Sequence, residues 1–504
     1  MSHAEDTPRL AAAERFRKVG KRAFRDAEEG LRLRLLAAQQ ALRAAPFPVL
    51  VVLAGDDRPA CDETLNLLHD WMDPRQLEGN AYGAHSEDER RRPWFWRYWR
   101  DLPARGRIGV YLGAWTVATL RDRAERHLAQ DAYERRLEHG RRFEEQLAAD
   151  GALLLKFWLH LPADELRRRV RASRRPDSKD WQYTDAAHGA LTTTGRGRRL
   201  VEDALARTHT AAAPWHVVPS AHDRTRTTAV VTTLLARLEA ALAAPALAAA
   251  ARAHRARPAP LRAPRGGGVL AHVDLSARVE PAHHRRRLRE ARARLHELSR
   301  RAHAARVGTV LAFEGFDAAG KGGTIRAVVP AFDGWRYRVV PIAAPTEEER
   351  AHHWLWRFWR HLPKSGHVTI YDRTWYGRVL VERVEGYAAP AAWRRAYDEI
   401  TDFETQLAAA GVVLCKFWLH IDADEQLRRF RARQETPHKR WKITPDDWRN
   451  RERRPAYESA VDEMVARTSS AAPWHLVAAN DKRHARLEVL RIIGDVLEEA
   501  LARA

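Results

Sequence analysis

The segment Trp94-Phe-Trp-Arg-Tyr-Trp-Arg100 returns as Trp354-Leu-Trp-Arg-Phe-Trp-Arg360, an offset of 260 residues. Lys156-Phe-Trp-Leu-His160 returns as Lys416-Phe-Trp-Leu-His420 at the same offset, and Pro214-Trp-His216 as Pro473-Trp-His475 at 259. A spacing that drifts by one residue over half the chain means one domain written twice, so any architecture open to one copy must be open to the other. The length of 504 residues agrees, being too great for one domain at the usual size of about 150. The joint falls in the Ala/Pro/Arg-rich stretch from Ala243 to Gly268, where a helix tail runs into a linker. The expected domains are 1–250, a linker at 251–270, and 271–504.

Within each copy the pattern is α/β. In the second, strand-like runs at Val307–Phe313, Arg338–Ile342, His367–Tyr371, Val412–Leu419 and His475–Ala478 are separated by helical stretches that include Arg285–Arg306, Glu347–His361 and Trp393–Ala410. Such alternation predicts a parallel sheet with helices on both faces. A three-layer domain of this kind binds ligands beyond the carboxyl ends of its strands.

One such end carries Gly315-Phe-Asp-Ala-Ala-Gly-Lys-Gly-Gly323, placed between the first strand-like run and a helix predicted to open at Thr324. Strand, glycine loop with a lysine, then helix is the order a phosphate cradle requires. Gly315, Gly320, Gly322 and Gly323 let the backbone turn its N–H groups inward, and Thr324 belongs to the same phosphate-binding set. The helix N-terminus adds about half a positive charge, and Lys321 brings a mobile full charge to phosphate oxygens. Gly322 stands where a P-loop normally carries the Ser or Thr hydroxyl that meets Mg²⁺. Asp317, inside the loop, is the hard-oxygen replacement.

Two further stretches complete the candidate site. His367-Val-Thr-Ile-Tyr-Asp372-Arg373 is a strand ending in an acid, in the manner of a Walker B strand, so Asp372 joins Asp317 as a candidate metal ligand. Arg373 and Arg378 follow in a turn at the same edge. Phosphoryl transfer needs little covalent chemistry from a protein, and metal-holding carboxylates with cations on the equatorial oxygens suffice. The third stretch, Thr436 to Asp447, places Lys439, Arg440 and Lys442 on an exposed turn. A helix follows, with Thr444 as N-cap, Pro445 at its first position and Asp447 three after the cap. A basic, Pro-bounded segment of this kind is expected to act as a helical lid that closes on nucleotide and excludes water.

Differences between the copies separate chemistry from scaffold. Gly55 and Asp57 match Gly315 and Asp317, but Ala60 replaces Gly320, Cys61 replaces Lys321, and Leu112-Gly113 replaces Asp372-Arg373. At the lid the matching residues are Lys179, Asp180 and Gln182. The first copy is therefore read as degenerate and inactive. Features common to both copies are read as scaffold: the Trp/Arg runs as core and not as a single-strand nucleic-acid surface, and Lys156 and Lys416 likewise. Cys415 reads as a small buried hydrophobe, and the histidines show no metal-ligand spacing.

The chain holds 87 basic against 66 acidic residues, a net +21, which calls for a polyanionic partner. Arginine dominates. Lys321, Lys439 and Lys442 are three of only ten lysines, and a lysine's compact charge can follow a moving phosphate. Two cysteines, Cys61 and Cys415, exclude a disulfide framework and predict a reducing cytoplasm. Met1 to Gly30 has no apolar core, so no signal peptide is expected, and no run approaches the roughly 18 apolar residues of a membrane span.

Glu314-Gly-Phe-Asp-Ala-Ala-Gly-Lys-Gly-Gly323, Tyr371-Asp-Arg-Thr-Trp-Tyr-Gly-Arg378 and Lys439-Arg-Trp-Lys442 resemble the Walker A, Walker B and lid motifs of the polyphosphate kinase 2 family. The tandem arrangement with a degenerate first copy is similar to the two-domain polyphosphate:AMP phosphotransferases of that family. The resemblance implies a P-loop kinase fold and Mg²⁺-dependent transfer of the terminal phosphate of inorganic polyphosphate to AMP, giving ADP. It further implies that Asp317 and Lys321 bind metal and phosphate, that Asp372 holds metal and aids the acceptor, that Arg373 and Arg378 clamp phosphates, and that the lid cations close over nucleotide. No nucleic-acid or membrane partner is expected, and a homo-oligomer stays open, although a tandem pair can stand in for a dimer of single copies. Polyphosphate would account for the basic charge, and the retained Arg100, Arg105 and Arg107 suggest a groove across the first copy. Two rival readings use the same residues: an ATP-dependent nucleotide or small-molecule kinase, and a non-catalytic nucleic-acid or phosphate-binding protein.

Overall fold

The five strand-like runs of each copy form a five-stranded sheet in which every pairing is parallel. The computed structural model describes residues 8–174, 194–244, 268–436, 443 and 445–503. These fall into two units, one drawn from Met1–His85, Arg97–Arg252 and Thr346–Trp354, the other from Ser86–Trp96, Ala253–Pro345 and Leu355–Ala504.

In the first unit the strands are β1 (Val49–Gly55), β2 (Leu77–Ala81), β3 (Ile108–Leu112), β4 (Leu153–His160) and β5 (Trp215–Pro219), in the order β2-β3-β1-β4-β5. The second repeats this with β6 (Thr309–Gly315), β7 (Tyr337–Pro341), β8 (Val368–Asp372), β9 (Val413–His420) and β10 (Trp474–Ala478), ordered β7-β8-β6-β9-β10. The central strands β1 and β6 are apolar and buried along nearly their whole length, as a strand covered on both faces must be. Register decides what meets at the carboxyl edge of the second sheet. Phe313 of β6 lies beside Asp372 of β8, and Gly315 beside Leu419 of β9, so the glycine loop and the strand-end acid leave the sheet side by side.

Two expectations need correction. The helix after the glycine loop begins at Lys321, not Thr324, and runs Lys321–Val328, which puts the lysine in its first turn. The predicted helix Glu347–His361 is two short ones, Glu347–Arg350 and Trp356–Trp359. Thr346 and Glu349 close a capping box that starts the first. Glu347–Arg350 groups with the first unit and Trp356–Trp359 with the second. The Trp/Arg run is core as expected, with Trp356, Phe358 and Trp359 buried.

Lys416 sits on β9 with its ammonium on Glu404 (2.7 Å), Tyr376 Oη (3.0 Å) and the carbonyl of Thr468, all buried. Lys156 in the first unit does the same with Glu144 (2.5 Å) and Thr208 O (2.6 Å). Burial pulls Lys416 down and pushes Glu404 up, but the pair satisfies itself and belongs to the scaffold.

The two equivalent histidines behave oppositely. His420 packs near Phe316, and burial, with Arg454 beside it, holds its pKa at about 4. His160 lies between Asp56 and Glu14; burial opposes its charge, but the two carboxylates outweigh that and leave the imidazole raised. Both would titrate near 6.5 in an unfolded chain. Between pH 6.5 and 4 the unfolded chain therefore takes a proton at His420 that the folded second unit refuses, which costs up to about 3 kcal/mol and nothing further below pH 4. At His160 the stabilisation is complete below pH 6.5 and is lost as pH rises through the raised value. Urea unfolding of the full chain at several pH values should show the wild type losing stability faster than His420→Gln as pH falls from about 6.5; parallel losses would remove His420 as the cause.

Candidate phosphate-transfer site

The glycine loop connects β6 to the helix Lys321–Val328. Two of its glycines are obligatory. A Cβ on Gly315 would stand 2.6 Å from the carbonyl oxygen of Leu419, and Gly320 has φ +110°, a conformation side chains rarely allow. Gly322 and Gly323 meet only ordinary contacts, so their want of a side chain keeps the backbone open to a ligand and does not relieve a clash. The position a Cβ on Gly322 would occupy is 3.6 Å from Asp372 Oδ2. The carboxylate of the strand-end acid thus faces the place of the missing hydroxyl.

Lys321 Nζ donates to the carbonyls of Gly315 (2.6 Å) and Phe316 (3.4 Å), which folds the side chain back over its own loop. Burial, and next Arg373, draw its pKa down, against the upward pull of Asp317, Glu314 and Asp372. Three carboxylates and two cations therefore crowd one strand edge. Asp317 accepts from Arg373 (3.2 Å) and from Asn450 Nδ2 (2.9 Å), so the loop acid, the strand-end turn and the helix Pro445–Glu452 converge on one side chain. Arg378 points instead to Glu382 at 2.8 Å. Thr324 is buried in the first turns of its helix. Lys439, Arg440, Lys442 and the cap Thr444 lie outside the described residues, but Pro445 opens its helix as predicted and Asp447 is buried in it.

Several contributors were not assigned from sequence. Arg429 donates to Ala318 O (2.9 Å) and Ala319 O (2.8 Å) of the glycine loop and to Ala479 O (2.6 Å) and Asn480 O (3.0 Å) after β10, binding two strand ends together. Gln426 holds the Asp317 carbonyl at 3.1 Å. Asn450 and Glu385 share the hydroxyl of Tyr457, and Glu385 also accepts from Arg449 at 2.9 Å. Glu314, buried, accepts two hydrogen bonds from Thr374. Helical spacing and a basic composition hide such partners; Glu314 and Thr374 were visible in principle, since the first copy has Ala54 and Ala114 there.

The matching loop of the first unit is built differently. Asp57 is fully buried, caps the helix Arg58–Trp71 through the Ala60 N–H (3.2 Å), and accepts from Ser220 (2.8 Å) with Arg169 at 3.7 Å. Burial pushes the Cys61 thiol well up. The short helix Leu10–Glu14 is anchored nearby, with Leu10 buried and Glu14 on His160 (3.1 Å) and Arg198 (2.7 Å). The three arginines expected to line a groove are engaged: Arg100 with Asp101 (2.6 Å), Arg105 with Asp150 (2.8 Å), Arg107 with Glu78 (3.3 Å).

A glycine cradle with a first-turn lysine, beside a strand-end acid in an all-parallel sheet, gives the second unit the form of a P-loop domain. The chain belongs to the polyphosphate kinase 2 family, whose model matches residues 18–245 and again 278–504. It is 43% identical to the polyphosphate:AMP phosphotransferase of Pseudomonas aeruginosa, over 97% of this chain and 98% of that one. To the polyphosphate:AMP phosphotransferase of Acinetobacter johnsonii it is 35% identical, over 92% and 95%. A crystal structure of a polyphosphate kinase 2 from Pseudomonas aeruginosa superposes with a TM-score of 0.87 at 42% identity, covering 98% of this chain and 99% of that one.

Proposed function

We propose that the chain transfers the terminal phosphate of inorganic polyphosphate to AMP, giving ADP, and that the second unit does the work. The observation that carries this is the convergence of Lys321, Asp317, Asp372 and Arg373 at one strand edge, together with relatives of nearly the same length that bear that activity in their names. In the transfer an oxygen of the AMP phosphate bonds to the terminal phosphorus, the bridging anhydride bond breaks, and the polymer leaves one unit shorter. The backbone of Gly320, Gly322, Gly323 and Thr324 would hold donor oxygens, Lys321 and Arg373 would neutralise charge as it shifts, and Arg378 would join them on leaving Glu382. Lys439, Arg440 and Lys442 would close the lid and exclude water.

Asp317 and Asp372 suit Mg²⁺. Both are hard oxygen donors, Asp372 faces the position of the missing P-loop hydroxyl, and a set of few carboxylates leaves room for the waters and phosphates that Mg²⁺ keeps. Asp317 and Asp372 would hold the ion, which would supply positive charge to offset that of the donor phosphate. The first unit is proposed to be inactive, because Asp57 is bonded to Ala60 and Ser220, and Cys61 and Leu112 stand where the second unit has Lys321 and Asp372. No helix of the described residues is long and apolar enough to cross a membrane. Two buried free cysteines support a reducing compartment, the cytoplasm.

The test combines purified protein, Mg²⁺, long-chain polyphosphate and AMP, and follows ADP by chromatography, with Asp372→Asn as control. ADP from the wild type and almost none from the variant is the expected result. Turnover only after ATP replaces polyphosphate would make this an ordinary nucleotide kinase.

A further inference from the structure

Arg373 has φ +66°, one of four non-glycine residues on the left-handed side among those described. That conformation costs a side-chain-bearing residue roughly 1 kcal/mol or more. The first copy makes the same turn at the same place with Gly113, φ +64°, for which the conformation is free. The second copy therefore keeps a guanidinium where glycine is easier, and something must hold the turn.

The contacts identify what does. Arg373 N–H donates to Phe313 O at 3.0 Å, which anchors the turn on β6. The next residue, Thr374, is buried and donates both its N–H (2.7 Å) and its hydroxyl (2.8 Å) to one oxygen of Glu314, the residue just after Phe313. The Thr374 hydroxyl in turn accepts from the Tyr376 N–H at 3.1 Å, so the bonds continue into the short helix Trp375–Arg378. A carboxylate buried on a central strand is costly unless it is bonded; burial raises the Glu314 carboxyl above its ordinary value, and the charge of Lys321, the two bonds from Thr374 and the charge of Arg373 offset part of that cost. All three members are missing together from the first copy, which has Ala54, Gly113 and Ala114. A group needed only for folding would have no reason to vanish with the arginine.

We propose that Glu314 is a positioning residue for phosphoryl transfer: through Thr374 it locks the left-handed turn that directs Arg373 to Asp317 and fixes Asp372 at the strand end. The inference rests on the phosphotransferase reading, but not on which donor is used.

The experiment measures kcat and KM for AMP, with polyphosphate and with ATP, in the wild type, Glu314→Ala, Glu314→Gln and Thr374→Ala. The same Glu314→Ala change is also made in an Arg373→Gly background. Glu314→Ala and Thr374→Ala should each lower kcat by about 10- to 100-fold with little change in KM, since a misdirected group affects the step and not the encounter. Glu314→Gln keeps an oxygen for both donors and should stay within about tenfold of wild type. Once residue 373 is glycine the turn needs no lock, so Glu314→Ala should cost less than about threefold more. An undiminished loss in that background, a wild-type kcat in either alanine variant with only a lower Tm, or a Glu314→Gln as damaged as Glu314→Ala would each overturn the proposal. If Glu314→Ala does not fold, Thr374→Ala, which copies the first unit's own residue, decides alone. Failure of the donor reading shows separately, as wild-type turnover with ATP only; no turnover with either donor would overturn both.

Discussion

Lys321→Ala is expected to lower kcat by about 10²- to 10³-fold, the loss seen when one preorganised stabiliser of developing charge is removed. The fold should survive. Among the described residues the side chain donates to two carbonyls of its own loop, Gly315 O and Phe316 O, and Gly315 and Gly320 set the loop's path without it. What disappears is a charge that Asp317, Glu314 and Asp372 hold at the strand edge. Lys321→Arg should not restore the rate, because a planar fork cannot take the place of a compact ammonium folded back over a glycine loop. Initial rates at saturating AMP, with thermal unfolding on the same samples, check this: a Tm near wild type with a collapsed kcat is the prediction, and a rate within about threefold of wild type would remove Lys321 from the transfer step.

Arg429→Met should damage both stability and rate. The guanidinium is buried and satisfies four backbone carbonyls from two loops, and its Nε donates to Glu425. Methionine fills similar volume and satisfies none of them. A loss of about 3 to 5 kcal/mol follows from leaving a buried network half paired, and a kcat lower by about 10- to 100-fold follows from release of the glycine loop that carries Asp317. Denaturant unfolding and activity measured well below Tm separate the two effects. Loss of stability with an unchanged kcat would mean that the loop keeps its shape without the clamp. The first unit retains an arginine here, Arg169, which reaches Ala221 O at 2.7 Å, so the clamp is part of the fold and not of the chemistry alone.

The fold was legible because the same pattern occurred twice. Apolar β-rich runs fixed the five strands of the second unit to within about two residues, and the repeat fixed the existence of the other five. The helix break after Arg350 was not legible: the run from Glu347 to His361 has helical composition throughout, and only tertiary structure reveals that its halves belong to different units. For the site, residues next to glycines or at strand ends could be found, since local geometry selects those types. Asn450, Gln426 and Arg429 could not, because an amide or an arginine on a polar helix looks the same whether it meets water or a loop carbonyl. Glu314 lay within the quoted motif, but its role emerges only from the paired hydrogen bonds to Thr374.

The buried pairs Lys156–Glu144 and Lys416–Glu404 bear on how such a chain diverges. Loss of either partner alone strands a charge in the core, so each pair can be erased only by two simultaneous changes, whereas Lys321 or Asp372 can drift in a copy whose turnover is no longer required. The pair works as a ratchet. It resists the drift that changes single residues elsewhere, and it keeps the two halves recognisable as copies of one another.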